Sequence, residues 1–355
     1  MTMKRVILQG PDFCALTEDG YLCEYIPDRG QGEETEAILT GRVERIMAGL
    51  KSAFVDIGRS RSGFLPLEEN SKSFTGGTLK SGDRVIVQIR KEETGQKGAF
   101  LSRDLTLAGS TVILMPMNRY IGVSRRITDE EIVKRLRATG EKLSGGRFGL
   151  VMRDGARYAD ESVLREETER LSALWESILR KAESSNCPAV LTEKVSAAER
   201  MLRDYRGRGE VLLEKTEELP PQLKQQLDCA GKRKIQTRHG ATLVIDPCEA
   251  MTVIDVNTSS ADFSRDRRAN LLETNLEACR EAVRQIRLRN ISGIIIMDLV
   301  DMDEETDRSL VTEALQEAFQ EDRTKTVIHG FTRLGLIEMT RKRTSPPLAE
   351  RMKER

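Results

Sequence analysis

Apolar and polar positions alternate with period two over short stretches of the first third of the chain. In Ser52-Ala53-Phe54-Val55-Asp56-Ile57, one face of an extended strand carries Ala53, Val55 and Ile57, and the other carries Phe54 and Asp56. In Gly63-Phe64-Leu65-Pro66-Leu67, Leu65 and Leu67 share a face and Phe64 takes the opposite one. The pattern predicts strands over Ala37–Ile46, Ser52–Ile57, Gly63–Leu67, Arg84–Lys91 and Ala99–Arg103. Glycine-rich turns separate them at Gly76-Gly77, Ser81-Gly82-Asp83 and Gly95-Gln96-Lys97-Gly98. Five strands over about seventy residues suit a small closed barrel of the OB type.

The texture changes along the chain. Residues 1–36 read as short strands with turns at Asp19-Gly20 and Pro27-Asp28-Arg29-Gly30. From 105 to about 200 the pattern is mixed and then helical, with an amphipathic, highly charged helix over Glu161–Ser184. After Pro220-Pro221, residues 240–355 alternate strand and helix. The segment Thr252-Val-Ile-Asp255-Val-Asn257 is an apolar strand with a carboxylate near its end. Asn270 with Glu273 three residues on forms a capping-box arrangement. Leu272, Leu276, Cys279, Val283 and Ile286 then form the apolar stripe of a packed helix. The segment Gly293-Ile-Ile-Ile-Met-Asp298-Leu-Val-Asp301 is a continuous buried strand, again ending in acid. Strand, helix and strand of these lengths predict a right-handed crossover between parallel strands.

That crossover brings Asp255 and Asp298 to one carboxyl edge, where α/β sheets carry their sites. Neighbouring strands would hold them ~5 Å apart, or about twice that with one strand between. Two such carboxylates repel unless protonated or bridged by a cation. Oxygen ligands without a nearby histidine or cysteine favour magnesium, with manganese as the second choice. Asn257 points to the same side of the strand as Asp255 and could orient it. The plainer alternative is a pair of strand-end acids making turn or cap hydrogen bonds.

Phe54 and Phe64 fall outside the expected barrel core, and exposed aromatics on such a sheet are stacking platforms for single-stranded bases. Residues 37–104 carry 12 basic and 8 acidic side chains, a net of +4. The whole chain balances 57 against 57, so global charge names no partner and a nucleic-acid site rests on such a local patch. Lys91 and Lys97 lie near the Gly95–Gly98 turn.

Length and composition narrow the classes. The 355 residues exceed one ordinary core and predict two or three domains. Aromatics make up 4%, with Trp175 the single tryptophan, against an aromatic-rich sandwich or propeller. The longest apolar runs are four residues, as at Val112–Met115 and Ile294–Met297, far short of the ~20 a membrane helix needs. The first ten residues lack the apolar core of a signal peptide, so the chain is expected in the cytoplasm. Six cysteines (Cys14, Cys23, Cys187, Cys229, Cys248, Cys279) without two-residue spacing read as reduced, buried thiols rather than a disulfide framework. With only His239 and His329 as histidines, no zinc site is expected within these residues.

In this order, several motifs resemble the ribonuclease E/G family of bacterial single-strand-specific endoribonucleases. They include Thr40-Gly-Arg-Val, Ala53-Phe-Val-Asp-Ile-Gly, Gly63-Phe-Leu-Pro-Leu, Gly95-Gln-Lys-Gly and Gly122-Val-Ser-Arg-Arg-Ile. They continue through Asp255-Val-Asn257, Asn275-Leu-Glu-Ala, Gln285-Ile-Arg-Leu-Arg, Gly293 to Met302 and Gly335-Leu-Ile-Glu-Met-Thr-Arg-Lys-Arg. The likeness covers most of the chain except about 205 to 238. It implies a magnesium-dependent phosphodiesterase on single-stranded RNA, rRNA precursors or mRNA, in which the metal activates water and leaves 5′-phosphate and 3′-hydroxyl ends. The family's metal-binding aspartates fall on Asp255 and Asp298 and its orienting asparagine on Asn257. Its RNA-gripping aromatics fall on Phe54 and Phe64 and a basic contact on Lys97. Arg125 and Arg126 of the Gly122 motif are further candidate RNA contacts.

The fold so implied is α+β and multidomain. An RNase H-like base (1–36 and a shortened 201–239) is interrupted by an OB-fold, S1-type RNA-binding barrel (37–104) and a 5′-sensor region (105–200). A DNase I-like α/β catalytic subdomain (240–355) follows. The sequence departs from the family in three places. The stretch between Asp204 and Gly240 is several tens of residues short. The 5′-monophosphate pocket, an arginine then a threonine with a second arginine further on, reads Arg153, Asp154 and Lys325, and an acid beside a phosphate is unfavourable. The sequence ends at Arg355, about where the family's zinc-binding Cys-Pro-x-Cys would start, and whether that end is natural or a truncation is not read from it. A homodimer is compatible with the likeness, and a zinc-linked tetramer is left in doubt. The competing class is a non-catalytic RNA-binding or ribosome-associated protein that keeps only the barrel.

Overall fold

The computed structural model describes residues 3–28, 35–67, 79–93, 97–237, 240–258 and 267–353. It divides into two compact units. One is discontinuous, built from residues 1–30 and 211–355, and the other is the contiguous stretch 31–210. The discontinuous unit opens with an antiparallel meander, β1 (Arg5–Gln9), β2 (Phe13–Glu18) and β3 (Tyr21–Pro27).

The contiguous unit begins with β4 (Ile38–Met47), β5 (Ser52–Asp56), β6 (Gly63–Pro66), β7 (Arg84–Lys91) and β8 (Phe100–Ser102). Each lies within a residue of the limits that alternation predicts. They pair in the order β4-β5-β6-β8-β7, and β7 pairs back to β4. Only β6 and β8 run parallel. The result is a closed five-stranded, OB-like barrel, filled by Leu39, Val43, Ala53, Val55, Leu65, Val87, Ile89 and Leu101. Gly76-Gly77 and Gly95-Gln96 of the expected turns lie outside the described residues.

The chain continues through β9 (Leu107–Ala108), β10 (Val112–Met115), β11 (Ile121–Val123), α1 (Glu130–Ser144), β12 (Gly149–Met152) and α2 (Glu161–Ser184). It ends with β13 (Ala189–Val190), on the edge of β4, and α3 (Ala197–Tyr205). The sheet order is β11-β12-β10-β9. Helix α2 presents Leu164, Leu171 and Ile178 to a core shared with Leu114, Leu150 and Met152. The heptad spacing of those three residues on an otherwise charged helix is why its limits were readable.

The discontinuous unit resumes with β14 (Val211–Lys215), α4 (Pro221–Ala230), β15 (Lys234–Gln236), β16 (Thr242–Pro247) and β17 (Met251–Asn257). Then follow α5 (Arg267–Leu288), β18 (Gly293–Asp298), α6 (Glu305–Gln320), β19 (Thr326–Phe331), β20 (Ile337–Arg341) and α7 (Leu348–Lys353). Strand β14 adds parallel to β1, giving the order β14-β1-β2-β3. The second sheet runs β15-β16-β17-β18-β20-β19, and β17 and β18 are its parallel pair. Helices α5 and α6 cover one face, packing Ala278, Cys279, Val283, Ile286, Val311 and Leu315 on Ile254, Ile295, Met297 and Met339.

Helix α5 differs from expectation at its start. Asn270 is not an N-cap but lies inside the helix, where its carbonyl accepts the Thr274 hydroxyl at 2.7 Å. The earlier turn is held by Arg268, whose guanidinium donates two 2.9 Å hydrogen bonds to Asp307 of α6. The six cysteines are free thiols, but only Cys14, Cys23 and Cys279 are buried as expected; Cys187 and Cys229 are half-buried and Cys248 is exposed. No helix among the described residues is long and apolar enough to cross a membrane.

Candidate metal centre and nucleic-acid face

Strand alternation decides where the catalytic candidates point. On β17, Thr252, Ile254 and Val256 are buried under the helices, so Asp255 and Asn257 project from the other face. On β18, Ile295 and Met297 are buried and Asp298 emerges opposite to them. Because β17 and β18 are adjacent and parallel, Asp255 and Asp298 are register partners. The nearer of the two arrangements left open by the sequence is the one found.

Asn257 donates its side-chain amide to Asp255 Oδ2 at 2.7 Å, fixing the rotation of that carboxylate. Partial desolvation at the sheet surface, then the nearby Asp255 and Asp301 carboxylates, push the Asp298 carboxyl above its ordinary value. Among the described residues neither aspartate has a basic partner. Uncompensated carboxylates of this kind fit a hard divalent cation. No group of three or more His, Cys, Asp and Glu among the described residues could hold an ion by itself. Two carboxylates are nonetheless compatible with magnesium, which commonly takes one or two carboxylates and completes its shell with water and phosphate oxygens.

Sequence reasoning gave no role to Asn275. It is fully buried on α5, where its amide donates to the Val300 carbonyl at 2.8 Å and accepts the Val300 N–H at 3.1 Å. Both bonds hold the loop that leaves β18 between Asp298 and Asp301. A polar residue on the apolar side of a packed helix was the available signal.

On the barrel, Phe54 and Phe64 are half-buried and lie off the core face, which Ala53, Val55 and Leu65 occupy. Their rings meet edge to face with centroids 6.0 Å apart. Phe100 of β8 joins them, 5.9 Å from Phe64 and tilted by 35°. The Arg45 guanidinium lies 5.2 Å from the Phe54 centroid. Phe100 was also missed, although the period that picked out Phe54 applies to it, between buried Ala99 and Leu101. Lys91, Lys97 and Arg125 are exposed.

The corner around Arg153 is already filled. Arg153 pairs with Asp204 at 2.7 Å and also donates to the Gly109 carbonyl. Asp154 accepts from the Ser124 hydroxyl, from Arg208 at 2.9 Å and from Arg126 at 3.5 Å. Two glycines permit this. A Cβ on Gly207, where φ is +85°, would fall 2.5 Å from the Gly155 Cα, so the two backbones can meet only without side chains. Arg126 is thus engaged with an acid, and Lys325 is an exposed residue of the other unit.

Beneath that corner, Glu167 of α2 is held by three successive backbone N–H groups. It accepts from Ser110 at 2.7 Å, Thr111 at 2.6 Å and Val112 at 3.1 Å, and from the Thr111 hydroxyl at 2.5 Å. Burial raises its carboxyl, but the Thr111 and backbone hydrogen bonds outweigh that and hold it below the usual value.

The sequence profile of the Ribonuclease E/G family matches residues 106–220 and 211–344. Ribonuclease G of Haemophilus influenzae is 33% identical over 382 aligned residues, covering 94% of this chain and 78% of the relative. Ribonuclease G of Escherichia coli K12 is 33% identical over 353 residues, covering 86% of this chain and 72% of the relative. Ribonuclease E of the same strain is 32% identical over 370 residues, which cover 92% of this chain but 35% of that longer protein. A profile match over most of the second half and beyond, with a third of positions shared along nearly the whole chain, places the protein in the ribonuclease E/G family.

Proposed function

We propose that the protein is a magnesium-dependent endoribonuclease that cuts single-stranded RNA and leaves 5′-phosphate and 3′-hydroxyl ends. The observation that carries this reading is the in-register pair Asp255 and Asp298, without a basic partner among the described residues and with Asn257 on one carboxylate. Manganese is the natural substitute. A bound magnesium ion supplies Lewis acidity and a water of lowered pKa. Asp255 and Asp298 would hold it, Asn257 keeps Asp255 from rotating, and Asn275 keeps the loop beyond Asp298 in place.

In this reading the OB-like barrel grips the strand through Phe54 and Phe64, with Lys91, Lys97 and Arg125 on the phosphates. The meander β1–β3 extended by β14 serves as a reduced RNase H-like base, and residues 240–355 as a DNase I-like catalytic subdomain. Residues 105–200 form a 5′-sensor region whose phosphate preference is weakened by Asp154. The substrate class is cytoplasmic rRNA precursor or mRNA.

Incubating the protein with single-stranded RNA and its duplex over a magnesium series, and identifying the ends produced, tests the proposal. Cleavage of the single strand that requires the cation and yields 5′-phosphates is the expected outcome. Binding without cleavage at any magnesium concentration overturns it and leaves the non-catalytic RNA-binding class.

A further inference from the structure

Residues in register on neighbouring strands present their side chains to the same face. Following the register across the barrel gives an unbroken row. Arg45 on β4 faces Phe54 on β5, Phe54 faces Phe64 on β6, Phe64 faces Phe100 on β8, and Phe100 faces Lys91 on β7. Both ends of the row are set by register shifts. A bulge between Val43 and Arg45 passes over Glu44, so a cation rather than an acid stands beside Phe54. A second shift between Ile89 and Lys91 passes over Arg90, which turns instead to Thr106 and the Asp104 carbonyl. Two acids beside the row are hydrogen-bonded elsewhere. Glu44 accepts the Ser62 hydroxyl at 2.5 Å and Asp56 caps the turn at Gly58 at 2.9 Å.

We infer that Phe100 is a third base-contacting ring, and that Arg45, Phe54, Phe64, Phe100 and Lys91 form one track for unpaired bases of single-stranded RNA. The inference rests on the nucleic-acid reading of this face given above and extends it by one ring and two cations. The three rings are half-buried and adjoin without a gap, as 6.0 and 5.9 Å centroid separations require. Neither adjoining pair is coplanar, at 74° and 35°, so bases meeting neighbouring rings are splayed apart. Such a surface selects unstacked single strands over duplex. A cation at each end matches phosphates entering and leaving the track. Phe100 therefore makes affinity depend on one more unpaired base than Phe54 and Phe64 engage.

The experiment measures dissociation constants of the full chain for a single-stranded oligonucleotide without divalent metal, so that no cleavage intervenes. The variants are Phe54→Ala, Phe100→Leu and Phe100→Tyr, each with its melting temperature. Phe100→Leu keeps the apolar bulk and loses the aromatic face. We expect it to weaken binding about tenfold at unchanged melting temperature, with Phe100→Tyr binding as the unmodified protein does. An RNA carrying one abasic residue, scanned along the sequence, should show a position that costs the unmodified protein affinity and costs Phe100→Leu nothing. If Phe54→Ala weakens binding and Phe100→Leu does not, Phe100 is packing only, and the inference falls while the RNA-binding face stands. If neither weakens binding, that face is itself misassigned and the track falls with it. Arg45→Gln or Lys91→Gln should flatten the salt dependence of binding, and an unchanged slope removes that residue from the track.

Discussion

Asp255 and Asp298 stand directly opposite one another on neighbouring parallel strands, and Asn257 donates its amide to Asp255 at 2.7 Å. Asn257 fixes the orientation of one carboxylate of the pair, and with both placed as metal ligands, replacing either should cost the same step.

Asp255→Asn or Asp298→Asn is expected to abolish cleavage while leaving RNA affinity nearly unchanged, because binding is assigned to the barrel. Parallel measurements of cleavage rate and dissociation constant check this. A variant that retains more than about a tenth of the rate has lost ~1.4 kcal/mol or less of barrier stabilisation, too little for a metal ligand.

Asn257→Ala removes the hydrogen bond to Asp255 without removing a ligand. Activity at limiting magnesium should fall about 10–100-fold and recover in part as magnesium is raised. A magnesium titration of rate decides, and a half-saturation point equal to that of the unmodified protein rules the orienting role out.

Asn275→Leu keeps the volume in the core and leaves both polar groups of Val300 without this partner. A stability loss of about 1–3 kcal/mol is expected. The diagnostic is a raised magnesium requirement at a temperature where the variant is still fully folded. Loss of stability with an unchanged requirement would make Asn275 a packing residue alone.

The 5′ end should matter little to this protein. Asp154 pairs with Arg208 and Arg126 and Arg153 pairs with Asp204, so the acid at 154 would face a 5′-monophosphate that carries nearly two negative charges at neutral pH. Initial rates on matched 5′-monophosphate and 5′-hydroxyl oligonucleotides should differ less than about tenfold, or ~1.4 kcal/mol. Asp154→Thr should widen the gap. A strong preference in the unmodified protein would show that the phosphate is read elsewhere.

Glu167 gives a prediction in pH. Its carboxyl is held below the ordinary value in the folded protein. Its contribution is therefore present above the unfolded value of ~4.3 and is lost as pH falls through the folded value. Glu167→Gln should cost about 1–3 kcal/mol near neutrality. The difference should shrink as the solution is acidified below about pH 4. Denaturant unfolding at a series of pH values reads this directly, and a gap that stays constant would contradict it.

Much of this arrangement is written locally. Two-residue alternation around Phe54 and Phe64 gives the barrel strands and their outward rings, and the heptad of Leu164, Leu171 and Ile178 gives α2. What was illegible depends on distant partners. Asn270 lies inside α5, and Arg268 in the turn before it pairs with Asp307 of α6, so the Asn270 capping pattern misleads. Arg45 and Lys91 reach the aromatic row only through register shifts, which alternation cannot anticipate because it assumes an unbroken ladder. Arg208 lies 54 residues beyond Asp154, and nothing between them signals the pairing. Local periodicity fixes which face a side chain takes, whereas what stands next to it is set by the partner strand.

The division of one unit across both ends of the chain has a consequence for synthesis. Residues 31–210 are contiguous, so they can fold as soon as they leave the ribosome. The first strands must wait. Strand β1 gains its outer neighbour only when Val211–Lys215 emerges, and the buried Glu18 meets Arg287 across 269 residues. Arg323, further on still, closes onto Glu24. The unit that carries Asp255 and Asp298 is therefore completed last, after the long loop closures that slow folding. A nascent chain would display a finished barrel well before it possessed a finished sheet edge, so on the proposed assignment the RNA-binding face precedes the metal site.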